Sequence, residues 1–185
     1  MKRIIPASCG AIILALLTLY ACNKSSVSID PLVGKYVISS TTLANDFIYN
    51  KDTLLPAGTD LTVAINAALL ASASCSNPVD TRLELKNNGQ IWYDCEGENN
   101  NKQNGTWEIN AARTELTLTL NVPINSINAA VPLKISNLQV SAIQVSGSTT
   151  IPLPPDFFLA FGVDLTKSGV PVFQTAIHIE ITRTP

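Results

Sequence analysis

The sequence predicts an all-β protein, an antiparallel up-and-down barrel of about eight strands with one inserted helix. Three observations carry that prediction. From Asp80 almost to the C-terminus, apolar residues recur at every second position, as in strands with one face in a core and one in water. Asn88-Gly89 stands between two such runs as a hairpin cue, because both residues tolerate positive φ. Cys75 and Cys95 form an even pair in a chain that begins like an exported protein, and such a pair reads as a disulfide.

The 185 residues make about one domain. The hydrophobic fraction of 46% is inflated by the N-terminal segment, and only 14% of residues are charged, so the surface is polar mainly through Ser, Thr, Asn and Gln. The net charge is −2, with Lys2 and Arg3 in the leader and no basic stripe elsewhere. Attraction to phosphate has no source, which argues against nucleic-acid partners.

Met1-Lys2-Arg3 is a positive n-region, and Ile12 to Leu19 is an apolar stretch too short to span a bilayer comfortably. It ends in Leu19-Tyr20-Ala21-Cys22, which resembles the lipobox of bacterial lipoproteins, where the cysteine is acylated and becomes the mature N-terminus. The alternative is an ordinary signal peptide cut after Ala21, leaving Cys22 as a free thiol, a liability in an oxidising compartment. Cys9 has no apolar stretch before it and leaves with the leader. The expected organisation is a lipoprotein signal peptide over 1–21, a lipidated tether over 22–32 and a barrel domain over 33–185. Acyl chains on Cys22 give stable membrane attachment. The tether carries Lys24 and no early acidic run, so the periplasmic face of the outer membrane is favoured over the cell surface.

Val33 to Ser40 is the first strand. Phe47-Ile48-Tyr49 is a short apolar knot before the turn at Pro56-Ala57-Gly58. The period then changes. Thr59 or Asp60 is placed to N-cap a helix whose Leu61, Ala64, Ile65, Ala68 and Leu69 fall at helical spacing, a helical insertion at about 59–74 that reads as a lid or plug. Strands follow at Asp80–Lys86 and Gln90–Cys95. Glu96 to Asn104 is expected to be a solvated loop, with strands resuming at Trp107–Ile109 and Leu116–Leu120. Asn121 to Ala130 reads as a long connection. Leu133 to Val145 reads as one strand that Asn137 interrupts, with a bulge near Ala142 to absorb a slip of phase. Ser146 to Pro155 reads as a turn region. Phe157, Leu159, Phe161, Val163 and Leu165 read as one face of a strand, and Ile177, Ile179 and Ile181 define the last.

A Cys75–Cys95 bridge would tie the helix end to the strand entering the Asn-rich loop, and closing about twenty residues restricts the unfolded chain by roughly 3 kcal/mol. A redox-active pair needs closer spacing and a lowered thiol pKa, which Asp94 and Glu96 oppose.

A family likeness rests on these residues. A lipobox is followed by Gly34-Lys35-Tyr36, Cys75, Leu83-Glu84-Leu85, the turn Asn88-Gly89, Cys95, Gly105-Thr106-Trp107-Glu108-Ile109 and Leu116-Thr117-Leu118. The chain resembles the lipocalin-like lipoproteins of the Bacteroidota from about Val33 to Val145, apart from an insertion over Phe47 to Ser74. The resemblance implies a calycin-type barrel and no activity, because one fold hosts many functions.

The sequence supplies no catalytic set. His178 is the single histidine, Glu180 follows it too closely on the same strand face to orient it, and Gly-x-Ser-x-Gly is lacking. No metal site and no cofactor are expected: one histidine and bridged cysteines are too few ligands, and Asp94, Glu96 and Glu98 read as a solvated acidic tip rather than a Ca²⁺ loop. Trp107 is expected in the core. Trp92, Phe157, Phe158 and Phe161 are the candidate ligand-lining or patch residues. The expected function is a non-enzymatic, lipid-anchored envelope protein that binds a small apolar ligand or serves as an envelope accessory. A protein-interaction module using the outer face or the inserted helix is the alternative, and an enzyme ranks last. A filled interior favours the module, and an open cavity of several hundred Å³ favours the ligand binder.

Overall fold

The alternating runs fold as strands, and the strands close on themselves. The structure, a computed structural model, describes residues 29–70, 73, 75–124 and 127–185. In chain order the elements are β1 (Gly34–Leu43), the short hairpin β2 (Phe47–Tyr49) and β3 (Asp52–Leu55), the helix α1 (Thr62–Leu69), β4 (Thr81–Leu85), β5 (Gln90–Cys95), β6 (Asn101–Ile109), β7 (Glu115–Ile124), β8 (Ile127–Val140), β9 (Gln144–Leu153) and β10 (Phe173–Arg183). All the strands but β2 and β3 form a closed eight-stranded antiparallel barrel in which each barrel strand pairs with the next and β10 returns to β1. It is an up-and-down barrel with one inserted helix, as the residue pattern predicts.

The barrel has two unlike ends. The lower end carries residues 29–33 and the tight turns at 86–89, 110–114 and 141–143. The upper end carries the insertion between β1 and β4, the turn at 96–100 and the long connection from β9 to β10.

The interior is packed with side chains. Tyr36, Leu85, Ile91, Tyr93, Leu116, Ile135, Ile177 and their neighbours are all buried in one core. Trp107 joins them, its indole N–H donating to the Lys86 carbonyl at 2.9 Å. The aromatic rings of Phe47 and Phe158 stack at 4.4 Å under the edge of Phe173 and fill the upper end.

Closure is uneven. β1 and β4 share only three paired positions, from Gly34↔Leu85 to Tyr36↔Leu83. Above Tyr36 the backbone of β1 has no strand on that side among the described residues, and buried N–H and C=O groups need partners. The insertion supplies them. Thr41 donates its N–H to Thr62 Oγ1 at 2.9 Å and accepts the Leu61 N–H at 2.8 Å. Leu43 donates to the Thr59 carbonyl and accepts from the Gly58 N–H, while Asn66 Nδ2 donates to the Ile38 carbonyl. The helix also drops Leu61 and Ile65 into the core, and the Tyr93 hydroxyl donates to the Leu69 carbonyl at its C-terminal end. The inserted helix is therefore a plug wedged in the seam.

Several boundaries differ from expectation, each for a readable reason. The expected strand at Phe157–Leu165 is a 3-10 segment, Pro155–Phe161. Pro155 occupies its first turn, where a missing N–H costs nothing, and Gly162 ends it at φ 77°. Phe158, placed by the strand reading on the opposite face, is the ring that is buried. The eighth strand is instead β9, over the expected turn region Ser146–Pro155. Pro152 is tolerated there because the β8–β9 ladder stops at Ser136↔Ser148 and leaves Thr149–Leu153 paired to β10 alone. The chain bends into a hairpin turn at Ala142, and the bulge lies at Asn137, whose φ is 54°.

The expected loop Glu96–Asn104 is shorter, because β6 starts at Asn101. A register shift at Gly105 turns Asn104 inward, so a polar residue is buried where simple alternation would not put one. A Cβ on Gly105 would lie 1.9 Å from the Thr119 carbonyl oxygen, which accounts for glycine at the bulge. The connection expected over Asn121–Ala130 is strand on both sides of a hairpin. In the turn between β4 and β5 only Gly89 has positive φ, so Asn88 serves by accepting the Gln90 N–H on its side chain. The helix is shorter than expected and has Leu61 rather than Thr59 or Asp60 at its N-cap, with Asp60 Oδ1 accepting the Thr62 N–H. Residues 71, 72 and 74 of the expected insertion lie outside the described residues.

Replacing Thr62 by Val keeps the shape but strands the Thr41 N–H at the seam. Urea unfolding should show a loss of about 1–3 kcal/mol.

Candidate functional site

The return of the insertion to the barrel is fixed covalently. Cys75 and Cys95 form the expected disulfide, with their Cα atoms 5.3 Å apart. Cys95 lies at the top of β5 opposite Thr81, so the bridge holds the segment after α1 against the free side of β4.

This segment, α1 and β1 enclose a cleft of about 570 Å³ at the seam. Val37 and Ile38 of β1 form one wall, Ala67 and Leu70 of α1 another, and Cys75 and Val79 a third. Two polar atoms line its inner side without a partner among the described residues, Thr81 Oγ1 and Asn66 Oδ1. Thr81 is almost wholly buried, and Asn66 spends its amide nitrogen on the edge of β1. Val63 and Val79 stand at the rim, 84% and 73% exposed.

The candidate aromatic residues are not gathered at one place. Trp92 is on the outer wall near the lower end, its indole N–H on Gln90 Oε1 and the Lys86 ammonium 5.7 Å from its ring. Phe157, Phe158 and Phe161 are neighbours in the 3-10 segment at the upper end, where Phe158 belongs to the core and the other two pack half-buried against it. The cleft was missed by the sequence reading because its walls are small aliphatic side chains from three separated segments. The usable signal was Asn66, a polar residue amid the alanines of α1.

His178, Glu180 and the carboxylates near the β5–β6 turn have separate partners. His178 Nδ1 lies 2.8 Å from Ser148 Oγ on the outer face, while Glu180 accepts from Ser39 Oγ. Asp94 pairs with Lys35 at 2.5 Å, Glu96 with Arg82, and Glu98 accepts the Ser76 N–H. The three carboxylates thus serve three different contacts. Hydrogen bonding to Asp94 holds the Lys35 ammonium above its usual pKa.

Cys22 lies outside the described residues, while residues 30–33 are pinned to the barrel. Asp30 accepts both guanidinium nitrogens of Arg113, at 2.8 and 2.9 Å, and the Leu32 N–H. The Arg113 hydrogen bonds hold the Asp30 carboxyl below its usual value of 3.8. A depressed carboxylate favours the fold above that value, and the contribution fades as pH falls through the lowered one. Arg183 reaches the carbonyls of Pro31 and Val33 and the hydroxyl of Tyr36. Residues 30–33 are thus fastened to the lower end from both sides.

Comparison with known proteins finds no matching family model, no matching curated protein and no matching solved structure. Fold and site therefore rest on this chain's own residues.

Reducing the disulfide releases a loop of about twenty residues, and stability should fall by about 3 kcal/mol. The melting temperature should drop with reductant, and an unchanged one would contradict the bridge.

Proposed function

We propose that this chain is a non-enzymatic, lipid-anchored envelope protein of lipocalin-like architecture that takes a small apolar molecule in the cleft beside α1. The observation that carries the reading is the location of open space. The barrel interior is filled by its own side chains, while the seam between α1 and β1 leaves about 570 Å³. That volume suits a small ligand, and the walls are mainly aliphatic with two unpartnered polar atoms to orient a polar end. The reading assigns no catalysis: among the described residues no carboxylate is bonded to His178, which contacts Ser148, and Glu180 accepts from Ser39.

A second reading, docking of a protein partner, draws support from the same rim. Val63 and Val79 are exposed apolar side chains beside the cleft, and a filled barrel is what a pure interaction module would have.

Attachment follows from Cys22. We place the protein at the outer membrane, on the periplasmic face. Cys22→Ser should move it from the membrane to the soluble fraction, and continued membrane fractionation would put the anchor elsewhere.

Ala67→Trp should fill the cleft without touching the core. Binding of a fluorescent acyl-chain probe should weaken by at least about tenfold, the size of 1.4 kcal/mol. Equal binding by both proteins would remove the cleft as the site.

A further inference from the structure

The lower end of the barrel carries a second apolar surface, distinct from the cleft. Ile143 is 67% exposed at the β8–β9 turn, Val140 beside it 41%, and Ile29 66%. Exposed Ala111, Ala112 and Ala142 extend the same rim. Hydrogen bonds join these points into one surface. The Leu138 N–H donates to Thr114 in the β6–β7 turn, Arg113 of that turn holds Asp30, and the Arg183 N–H donates to the Ile143 carbonyl while its guanidinium reaches Pro31. Ile143, Val140 and Ile29 therefore present their apolar side chains at the same end of the barrel.

What covers this end is indicated by where the chain enters. Ile29 stands here, so whatever precedes it joins the barrel at this end. Cys22 is seven residues earlier, which bounds the distance to the anchor at about 25 Å of extended chain. Asp30 and Arg183 then fix the direction of entry. Three ion pairs lie toward this end, Arg113 with Asp30, Lys35 with Asp94 and Lys86 with Glu84, while the Arg183 guanidinium is held by the Pro31 and Val33 carbonyls and the Tyr36 hydroxyl. A surface with its charged side chains engaged within the fold and its tips apolar suits the interfacial layer of a bilayer.

We propose that the lower end, with Ile143 at its tip, rests in the membrane interface, holding the barrel upright so that α1 and its cleft face away from the bilayer. The proposal rests on acylation at Cys22. Ile143→Trp and Val63→Trp in the full lipidated protein, on phosphatidylcholine vesicles with bromine near the headgroup end of the acyl chains, test it. After subtraction of the wild-type signal from Trp92 and Trp107, quenching at position 143 should exceed that at position 63 by at least twofold. Vesicle-bound protein with equal quenching at both positions overturns the upright orientation and leaves the anchor standing. Protein that does not bind the vesicles overturns the anchor, and the orientation with it.

Discussion

The structure depends on how the upper half of β1 finds hydrogen-bond partners. Eight strands are enough to close a barrel only if the first also pairs along the second, and here that ladder lasts three positions. Beyond it, Ile38, Thr41 and Leu43 would present bare backbone polar groups at the edge of a hydrophobic core. Leaving each of them unpaired costs about 1–3 kcal/mol. The insertion answers with Gly58, Thr59, Leu61, Thr62 and Asn66, three through their backbones and two through their side chains. Its apolar face then has no choice of orientation, because Leu61 and Ile65 are drawn into the barrel by the same contacts.

One consequence is that open space is left at the seam. A helix packed into a seam covers it imperfectly, since a rounded surface meets a flat wall along a line. The cleft between Ala67, Leu70 and Val37 is that imperfect fit, and the disulfide closes its third side. The core meanwhile is capped at the top by the Phe47, Phe158 and Phe173 rings. Structure and proposed function thus share one cause, the short β1–β4 ladder.

Much of the fold was legible because it lies in local patterns. Alternation at Leu83–Leu85, Leu116–Leu120 and Ile177–Ile181 records burial directly, and Cys75 and Cys95 declared their bridge. The expected count of eight strands agrees with the barrel although one strand was placed wrongly. Phe157–Phe161 shows why: the every-second-residue pattern was real, but Pro155 and Gly162 mark helix-like ends and should outrank it over so short a segment. Asn104 illustrates a different limit, since a bulge at Gly105 inverts the phase and only the partner strand determines where that happens. The cleft was illegible for a third reason. Its walls come from residues far apart in sequence, and nothing in Val37, Ala67 or Val79 taken alone distinguishes a cleft wall from ordinary surface.

Native-state hydrogen exchange at the seam tests the account most directly. If the insertion substitutes for a missing strand, the amides of Thr41, Leu43 and Leu61 should open together as one unit, more readily than Leu118 and Leu133 in the continuous β7–β8 ladder. Reduction of the disulfide should make that unit exchange faster still. Seam amides protected as strongly as the β7–β8 ladder, and indifferent to reduction, would contradict it.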